Sequence, residues 1–313
     1  MIRGLYTAAA GMIAEQRKHD TVTNNIANLN TAGFKQVNAI SRSFPEMLIA
    51  LTNGEPGQKK SIGKLNTGVL AEEDPSLHVQ GDLLETKNNY DFAIASDIQQ
   101  DGLSFDGSGM AFGPDGERVF QRQIFFTVQN DAGEQRYTRS GNFTVSETGE
   151  LMTAAGFRVV GLNGQPIRMM NATTGAPVSD FVVTADGRFT VGASGAPIVD
   201  EDGNDVGFLL AEVENPHRLV REGSGLYRVD EADAGGVNLL ADDANLGRNE
   251  ELGNWVDNHQ VAIRQGYVER SNVDAAQAMI DMNTALRAYE ANQRVVQYYD
   301  KSLEKTVNEV GRV

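Results

Sequence analysis

The sequence has no cysteine, four histidines and a single tryptophan among its 313 residues. The absence of cysteine excludes disulfide bonds, thiolate metal sites and cysteine nucleophiles. The histidines, His19, His78, His217 and His259, are scattered, and none has the spacing of metal ligands. We therefore predict that the protein binds neither a metal nor a cofactor.

Catalytic motifs are missing as well. Ser140-Gly141 lacks the pattern of a nucleophile elbow. The acidic run 200–205 departs from a calcium loop, because Gly203 is at its fourth position and an EF-hand requires glycine at the sixth. Other carboxylate pairs are expected by chance in a chain with 43 acidic residues. The sequence predicts a protein that is not an enzyme.

Long apolar runs are also absent from the sequence. No run approaches the roughly 18 residues that a membrane-spanning helix needs. The apolar stretch after Arg3 is interrupted by Thr7 and Gly11, and its helical pattern continues through any signal-peptidase site. We expect neither membrane insertion nor a cleaved signal peptide.

Positive charge is scarce and unevenly distributed, and the formal net charge is −16. Residues 1–35 sum to +2 and residues 268–313 to −1, which leaves −17 for residues 36–267. Near-neutral ends can pack densely against copies of themselves, whereas the acidic middle should face water. Nucleic acid and anionic membrane are poor partners for such a surface.

The strongest pattern in the chain is an apolar repeat over residues 268–310. Its spacing alternates between three and four residues, which is the a/d pattern of a helix that winds around another helix. Ser271, three residues before Asp274, suits the N-cap of this helix. One long core helix in an ordinary domain is the alternative interpretation. The repeat consists of Ala275, Met279, Met282, Leu286, Tyr289, Gln293, Val296, Asp300, Leu303, Val307 and Val310.

A weaker stripe of the same spacing occupies residues 2–30, and it offers a partner helix for the C-terminal repeat. It is rich in small residues, which let two helices approach closely, and Gly33 is a plausible left-handed stop for the helix. Two helices at opposite ends imply that the middle of the chain is inserted between them. The stripe consists of Ile2, Leu5, Ala9, Met12, Gln16, His19, Thr23 and Ile26.

Between the two helices the apolar period becomes two, with glycine-bearing turns, as in a β-sandwich, a barrel or an irregular array of hairpins. The segment 141–149 is echoed at 187–195 and indicates one type of hairpin used twice. Residues 43–51 are predicted as a short helix that starts at Pro45. The predicted fold class is α+β with a mainly β middle, in which long N- and C-terminal coiled-coil helices flank an irregular all-β domain. The predicted domains are an N-terminal coiled-coil helix (1–35), an extended connector (36–67), a β-rich domain (68–250) with a loop insertion (96–123), and a C-terminal connector with a coiled-coil helix (251–313).

Five segments then identify a resemblance. Residues 20–35, DTVTNNIANLNTAGFK, resemble the N-terminal motif of the bacterial flagellar basal-body rod and hook proteins, and residues 266–290 resemble the C-terminal motif of the same family. Residues 84–95 and 137–143 resemble segments that open the β domain of that family, and residues 41–48 are similar to the Gram-positive hook-basal-body rod proteins. The sequence departs from the family at His19, Thr21 and Thr23, and in the inserted residues 96–123.

The resemblance implies an axial structural subunit of the basal-body rod, outside the cytoplasmic membrane, exported unfolded through the flagellar type III apparatus. Its partners would be copies of itself, other rod or hook subunits and the export apparatus. A hook or hook-junction protein remains an alternative, as does an unrelated extracellular binding module on a coiled-coil stalk. The implied assembly residues are Leu5, Met12, Asn24, Asn25, Ile26, Asn28, Thr31, Gly33, Phe34, Gly266, Ser271, Asn272, Val273, Met279, Met282, Leu286, Tyr289, Val296 and Leu303.

Overall fold

The protein is described by a computed structural model that contains three α-helices within the described residues. These helices are α1 (Ile2–Ala27), α2 (Glu250–Asp257) and α3 (Ala275–Lys305). A 3-10 helix spans Pro216–Arg218, and a π-helix spans Thr306–Val310. The described residues are 2–45, 47–51, 60–65, 68–73, 76–100, 102–169, 178, 180–192, 194–199, 203–230, 235–241 and 249–310.

The strands are short, and nearly all lie between α1 and α2. The first ten are β1 (Ala39–Ser43), β2 (Met47–Leu51), β3 (Lys60–Leu65), β4 (Val69–Glu73), β5 (Leu83–Glu85), β6 (Phe92–Ser96), β7 (Met110–Phe112), β8 (Arg118–Phe120), β9 (Gln123–Gln129) and β10 (Gln135–Thr138). The others are β11 (Phe143–Val145), β12 (Leu151–Thr153), β13 (Arg158–Val159), β14 (Phe181–Val183), β15 (Phe189–Val191), β16 (Leu210–Val213), β17 (Leu219–Gly223), β18 (Leu226–Val229), β19 (Val237–Leu240), β20 (Val261–Gln265) and β21 (Tyr267–Glu269).

The chain divides into two compact units. The first, called the helical unit, comprises Met1–Ala27, Val37–Ser76 and Val273–Val313. The second, called the β unit, comprises Asn28–Gln36 and Leu77–Asn272. The β unit is thus inserted between segments of the helical unit, as the two terminal apolar repeats predicted.

Helices α1 and α3 pack against each other in the helical unit, and they run antiparallel. Gly4 lies beside the Tyr299 ring, and a Cβ atom on Gly11 would come within 2.9 Å of the Asn292 side-chain nitrogen. The two glycines of α1 make room for these side chains of α3, and both helices also carry small side chains that are buried. These are Ala8, Ala14, Ala278 and Ala285. The prediction that the N-terminal helix is the packing partner of the C-terminal helix is confirmed.

Two β-ribbons complete the helical unit. β1 pairs antiparallel with β4, and the buried Ala71 of β4 accepts a hydrogen bond from Arg17 Nη1 of α1 at 3.0 Å. β2 pairs antiparallel with β3. The short helix predicted over residues 43–51 is therefore wrong, because Met47–Leu51 is a strand. Pairing with β3 satisfies its backbone groups in a way that the local sequence does not reveal.

The β unit is built around β9, the central strand of a nine-stranded sheet. β10 pairs with one edge of β9, and β13 and β16 pair with successive parts of its other edge. Ile124, Phe126 and Val128 belong to the larger apolar core, whereas Phe125 belongs to a second core that includes Tyr227. Coverage of both faces explains why this strand is apolar almost throughout.

The larger core of the β unit contains a cluster of phenylalanine rings. Phe143 and Phe189 occupy equivalent positions in the two echoed segments. Their ring centroids lie 6.1 Å and 5.0 Å from that of Phe208. Gly149 and Gly195, which follow them, both have positive φ angles. Each copy thus delivers a phenylalanine to the same cluster. The prediction of one hairpin type used twice is nevertheless wrong, because β11 pairs with the strand that follows it, β12, whereas β15 pairs with the strand that precedes it, β14.

Several predicted boundaries differ in the structure. The N-terminal helix ends at Ala27, six residues before Gly33, so Gly33 is not its stop, although its φ is +67°. The N-cap of the C-terminal helix is Asp274 and not Ser271. The Asp274 carboxylate accepts hydrogen bonds from the backbone amides of Ala276 and Gln277. Residues 267–269 precede the helix because they pair with β5. The insertion predicted as a loop contains the β7–β8 hairpin.

Candidate assembly site

Three charged side chains are buried together in the β unit, and we call them the charge cluster. Glu269 and Lys35 form an ion pair of 2.6 Å, and Glu269 and Arg139 form one of 2.9 Å. Each of the three residues is at most 1% exposed. Burial of a charge is costly unless the charge is paired and hydrogen-bonded. Their positions therefore depend on one another.

The remaining polar atoms of the charge cluster are also bonded. Lys35 Nζ donates to a backbone carbonyl, and the Arg139 guanidinium donates to two carbonyls and one hydroxyl. Glu269 Oε1 additionally accepts a backbone amide. These partners are Val79 O at 2.8 Å, Ile124 O at 2.6 Å, Ile94 O at 3.2 Å, Ser96 Oγ at 3.2 Å and Gly81 N at 2.9 Å.

Burial lowers the pKa of Lys35 to about 8; Glu269 opposes this effect and Arg139 adds to it. Burial by itself raises the pKa of Glu269, but Arg139, Lys35 and the Gly81 amide outweigh it, so that the pKa lies below its ordinary value. At neutral pH the cluster thus holds two cations and one anion. His78 is buried nearby, and burial with the adjacent cations keeps its pKa well below the ordinary value.

The backbone around the charge cluster is joined by further hydrogen bonds. Gly33 N donates to Glu269 O at 2.8 Å, and Asn272 Oδ1 accepts the Gln36 amide at 2.7 Å. Asn272 Nδ2 donates to the carbonyls of residues 77 and 79. A Cβ atom on Gly33 would lie 2.6 Å from the Arg139 carbonyl carbon, so only glycine fits this contact. The motif segments from both ends of the chain therefore meet inside the β unit.

The helical unit presents a different feature, an exposed apolar line on α3. Met279 and Leu286 are 52% and 45% exposed, whereas Ala278 and Ala285, one residue earlier, are buried against α1. Adjacent residues of a helix are separated by about 100° around its axis. The pairing with α1 therefore uses one side of the predicted a/d repeat, and the line through Met279 and Leu286 lies about 100° around the helix from that contact.

The predicted assembly residues fall into both units and differ in exposure. Asn25, Gly33 and Phe34 are buried, and Asn24, Met279 and Leu286 are exposed. The partly exposed ones in the helical unit are Leu5, Met12, Ile26, Val273, Met282, Tyr289, Val296 and Leu303. Those in the β unit are Asn28, Thr31, Gly266, Ser271 and Asn272.

Sequence reasoning missed all three members of the charge cluster. Each of them lies inside a motif segment that carried the family resemblance, but none of them was singled out there. Glu269 gave no local signal, because the strand that buries it together with Val268 became apparent only in the structure.

The full-length similarity to characterised proteins decides the family. The chain is 32% identical over 318 residues to the flagellar hook-basal body complex protein FlhO of Bacillus subtilis, and the alignment covers 100% of both chains. The chain belongs to the flagellar basal-body rod and hook protein family. It is also 31% identical to the basal-body rod protein FlgG of Buchnera aphidicola subsp. Baizongia pistaciae, over 97% of this chain and 98% of that protein. FlgG of Bacillus subtilis is 28% identical, with 98% and 99% covered.

Three family models match separate parts of this flagellar protein. Residues 5–35 match "Flagella basal body rod protein", residues 121–191 match "Flagellar hook protein FlgE/F/G D1 domain", and residues 264–309 match "Flagellar basal body rod FlgEFG protein C-terminal". Each matched segment contains one member of the charge cluster, namely Lys35, Arg139 or Glu269. The cluster thus joins the three segments by which the family is identified.

The described residues also bear on two other kinds of site. No helix among them has the length and apolar character needed to cross a membrane. Within the same residues, histidine, cysteine, aspartate and glutamate side chains form no group of three that could hold a metal ion. The acidic run 200–205 lies partly outside the described residues.

Proposed function

We propose that this protein is a non-enzymatic structural subunit of the flagellar basal-body rod. It polymerises through its terminal helices into the axial tube that transmits torque and surrounds the export channel. It acts outside the cytoplasmic membrane, after export through the flagellar type III apparatus. Its partners are copies of itself and other rod or hook subunits. Full-length similarity to FlhO and FlgG supports this proposal.

The observation that carries the proposal is the apolar line through Met279 and Leu286. A helix that only packed against α1 would gain nothing from two large apolar side chains half exposed to water, since each forfeits about 1 kcal/mol or more of burial energy. A second helix, from a neighbouring subunit, would bury both side chains. On α1, Tyr6 and Ile13 are 67% and 58% exposed and offer a similar surface seven residues apart.

The charge distribution supports the same arrangement. The terminal segments carry net charges of +2 and −1, whereas residues 36–267 carry −17. In a polymer, the near-neutral helices tolerate dense packing around an axis. The acidic remainder is accommodated at the outside, where water and salt screen its repulsion.

A hook or hook-junction position is the second candidate. It stays open because the model that matches residues 121–191, "Flagellar hook protein FlgE/F/G D1 domain", covers both hook proteins and the rod protein FlgG. Localisation of a labelled subunit by electron microscopy of isolated basal bodies distinguishes the two candidates. A rod subunit lies within the basal body, and a hook subunit lies beyond its distal end.

The proposal is tested by Leu286→Asp, with Ala291→Asp as the matched control. Both positions are exposed and both changes add one carboxylate to α3, but Ala291 lies about 140° around the helix from Leu286. In an assembled tube, the carboxylate introduced by Leu286→Asp would be buried without a partner, which costs several kcal/mol in every subunit. We expect cells with Leu286→Asp to lose motility and basal-body rods, and cells with Ala291→Asp to retain both.

Circular dichroism of the purified variants provides the folding control. Because Leu286 is already 45% exposed, its replacement should alter the stability of the isolated protein by only about 0.5–1 kcal/mol. Normal rods in Leu286→Asp cells would contradict assembly through this line. Loss of the β signal in that variant would show that α3 is a core helix of the folded subunit instead.

A further inference from the structure

The order of the charge cluster along the chain is the starting point. Lys35 and Arg139 are the cations, and Glu269, their only anionic partner among the residues that the structure describes, follows them by 234 and 130 residues. Strand β9 and the rest of the nine-stranded sheet are complete before residue 269. The anion is therefore the last member of the cluster to be supplied by the chain.

Closure of the β unit without Glu269 would leave both cations almost wholly buried. Lys35 Nζ would keep a single hydrogen bond, to Val79 O, and Arg139 would keep only uncharged partners. Removal of one member of a buried charge pair is strongly destabilising, because the remaining charge is uncompensated. Here one carboxylate compensates two cations, so its absence affects both.

The segment around Glu269 also joins distant parts of the β unit through backbone hydrogen bonds, which act in addition to the ion pairs of Glu269. Strand β21 pairs with β5, and Arg270 N donates to Asp82 O at 2.8 Å. Gly266 O accepts a hydrogen bond from the Thr86 amide at 2.7 Å, and Glu269 O accepts one from the Gly33 amide. Residues 266–270 therefore connect residues 33–35 to residues 81–86, and this part of the β unit is complete only when they are in place.

We propose that Glu269 is a charge lock that makes folding of the β unit depend on the C-terminal segment. Until Glu269 enters between Lys35 and Arg139, the two cations hold the unit open. Once it enters, the unit closes as a whole. The lock is a conformational device of the fold, and it does not depend on the position of the protein in the flagellum.

The test is hydrogen exchange, followed by mass spectrometry, on the full-length Glu269→Gln protein. Glutamine keeps the size of the side chain and an oxygen acceptor but removes the charge. We expect amide protection to fall by about 100-fold or more in residues 33–36, 79–82 and throughout β9, because an uncompensated buried charge costs several kcal/mol. Wild-type protection of β9 in Glu269→Gln would overturn the proposal.

Glu222→Gln is the matched control, because Glu222 also lies between two arginines. It pairs with Arg136 at 2.5 Å and with Arg228 at 3.0 Å, but it is 32% exposed. Solvent compensates the arginines there, so protection should change by less than about threefold. An equal loss of protection in Glu222→Gln would show that charge balance in general, and not the buried lock, controls the unit.

The double variant Lys35→Met/Glu269→Gln keeps the test decisive if Glu269→Gln fails to fold. Replacement of Lys35 by methionine removes one of the two uncompensated cations and retains most of the side-chain volume. We expect the double variant to regain at least about tenfold of the lost protection in β9. If protection is not regained, the loss arises from shape or hydrogen bonding, and the charge lock is wrong.

Discussion

The stability of the β unit should rise with pH above neutrality, and Lys35 should be responsible. Its ammonium is 1% exposed and borders Glu269, Arg139 and His78. Burial lowers its pKa from 10.5 to about 8. Between pH 8 and 10.5 the Lys35 amine is therefore protonated in the unfolded chain but largely deprotonated in the folded chain. Under this condition the free energy of unfolding increases with pH.

The magnitude follows from the two pKa values. A difference of one unit corresponds to about 1.4 kcal/mol. Below pH 8 the folded state bears the full penalty of the buried ammonium, about 3 kcal/mol. By pH 9.5 the folded state has released the proton, and roughly 2 kcal/mol of the penalty has disappeared. Measurements stop at pH 9.5, because burial raises the pKa of Tyr137 and its titration would reverse the trend at higher pH.

The assay is urea unfolding of the wild type and of Lys35→Met at pH 7 and pH 9.5. Trp255 is the only tryptophan and packs against the larger core of the β unit, so its fluorescence reports on that unit. Wild-type unfolding free energy should rise by about 2 kcal/mol, and that of Lys35→Met should stay nearly level. An equal rise in both proteins would refute the assignment to Lys35.

Two further predictions concern the same region. Gly33→Ala should lower the unfolding free energy by more than about 2 kcal/mol, because φ is +67° and the added Cβ would meet the Arg139 backbone. Gly133→Ala has a similar φ of +81° and open space, so urea unfolding should show a loss of only about 1 kcal/mol. Burial holds the pKa of His78 well below its usual range, so wild-type stability should fall by about 1.4 kcal/mol per pH unit below pH 6.5. His78→Phe keeps a ring beside Phe125 and Tyr227 and should remove that acid dependence. An unchanged slope of stability against pH in this variant would contradict the assignment to His78.

The helical ends and the β middle could be predicted from the sequence because their signals are local. The three- and four-residue spacing around Met282 and Tyr289, and the two-residue spacing around Phe143, are properties of a single helix or strand. The pairing of the two end helices also followed, because each repeat requires an apolar partner and the chain contains two such repeats. Motif segments of specific sequence identified the family.

The face that each helix uses was decided by the tertiary structure. The repeat predicts Met279 and Leu286 at the contact, yet α1 packs against Ala278 and Ala285. Gly4 and Gly11 of α1 leave room for the Tyr299 ring and the Asn292 side chain of α3. Which face of α3 contacts α1 depends on the shapes of both helices, and the apolar pattern of α3 alone does not predict it.

The charge cluster was decided entirely by the tertiary structure. Lys35, Arg139 and Glu269 are far apart in the chain, and each one viewed alone resembles an ordinary surface charge. They become a buried site only when β5, β9 and β21 bring their segments together. Periodicity reports which face of an element is apolar, whereas the pairing of distant charges depends on how the whole chain closes.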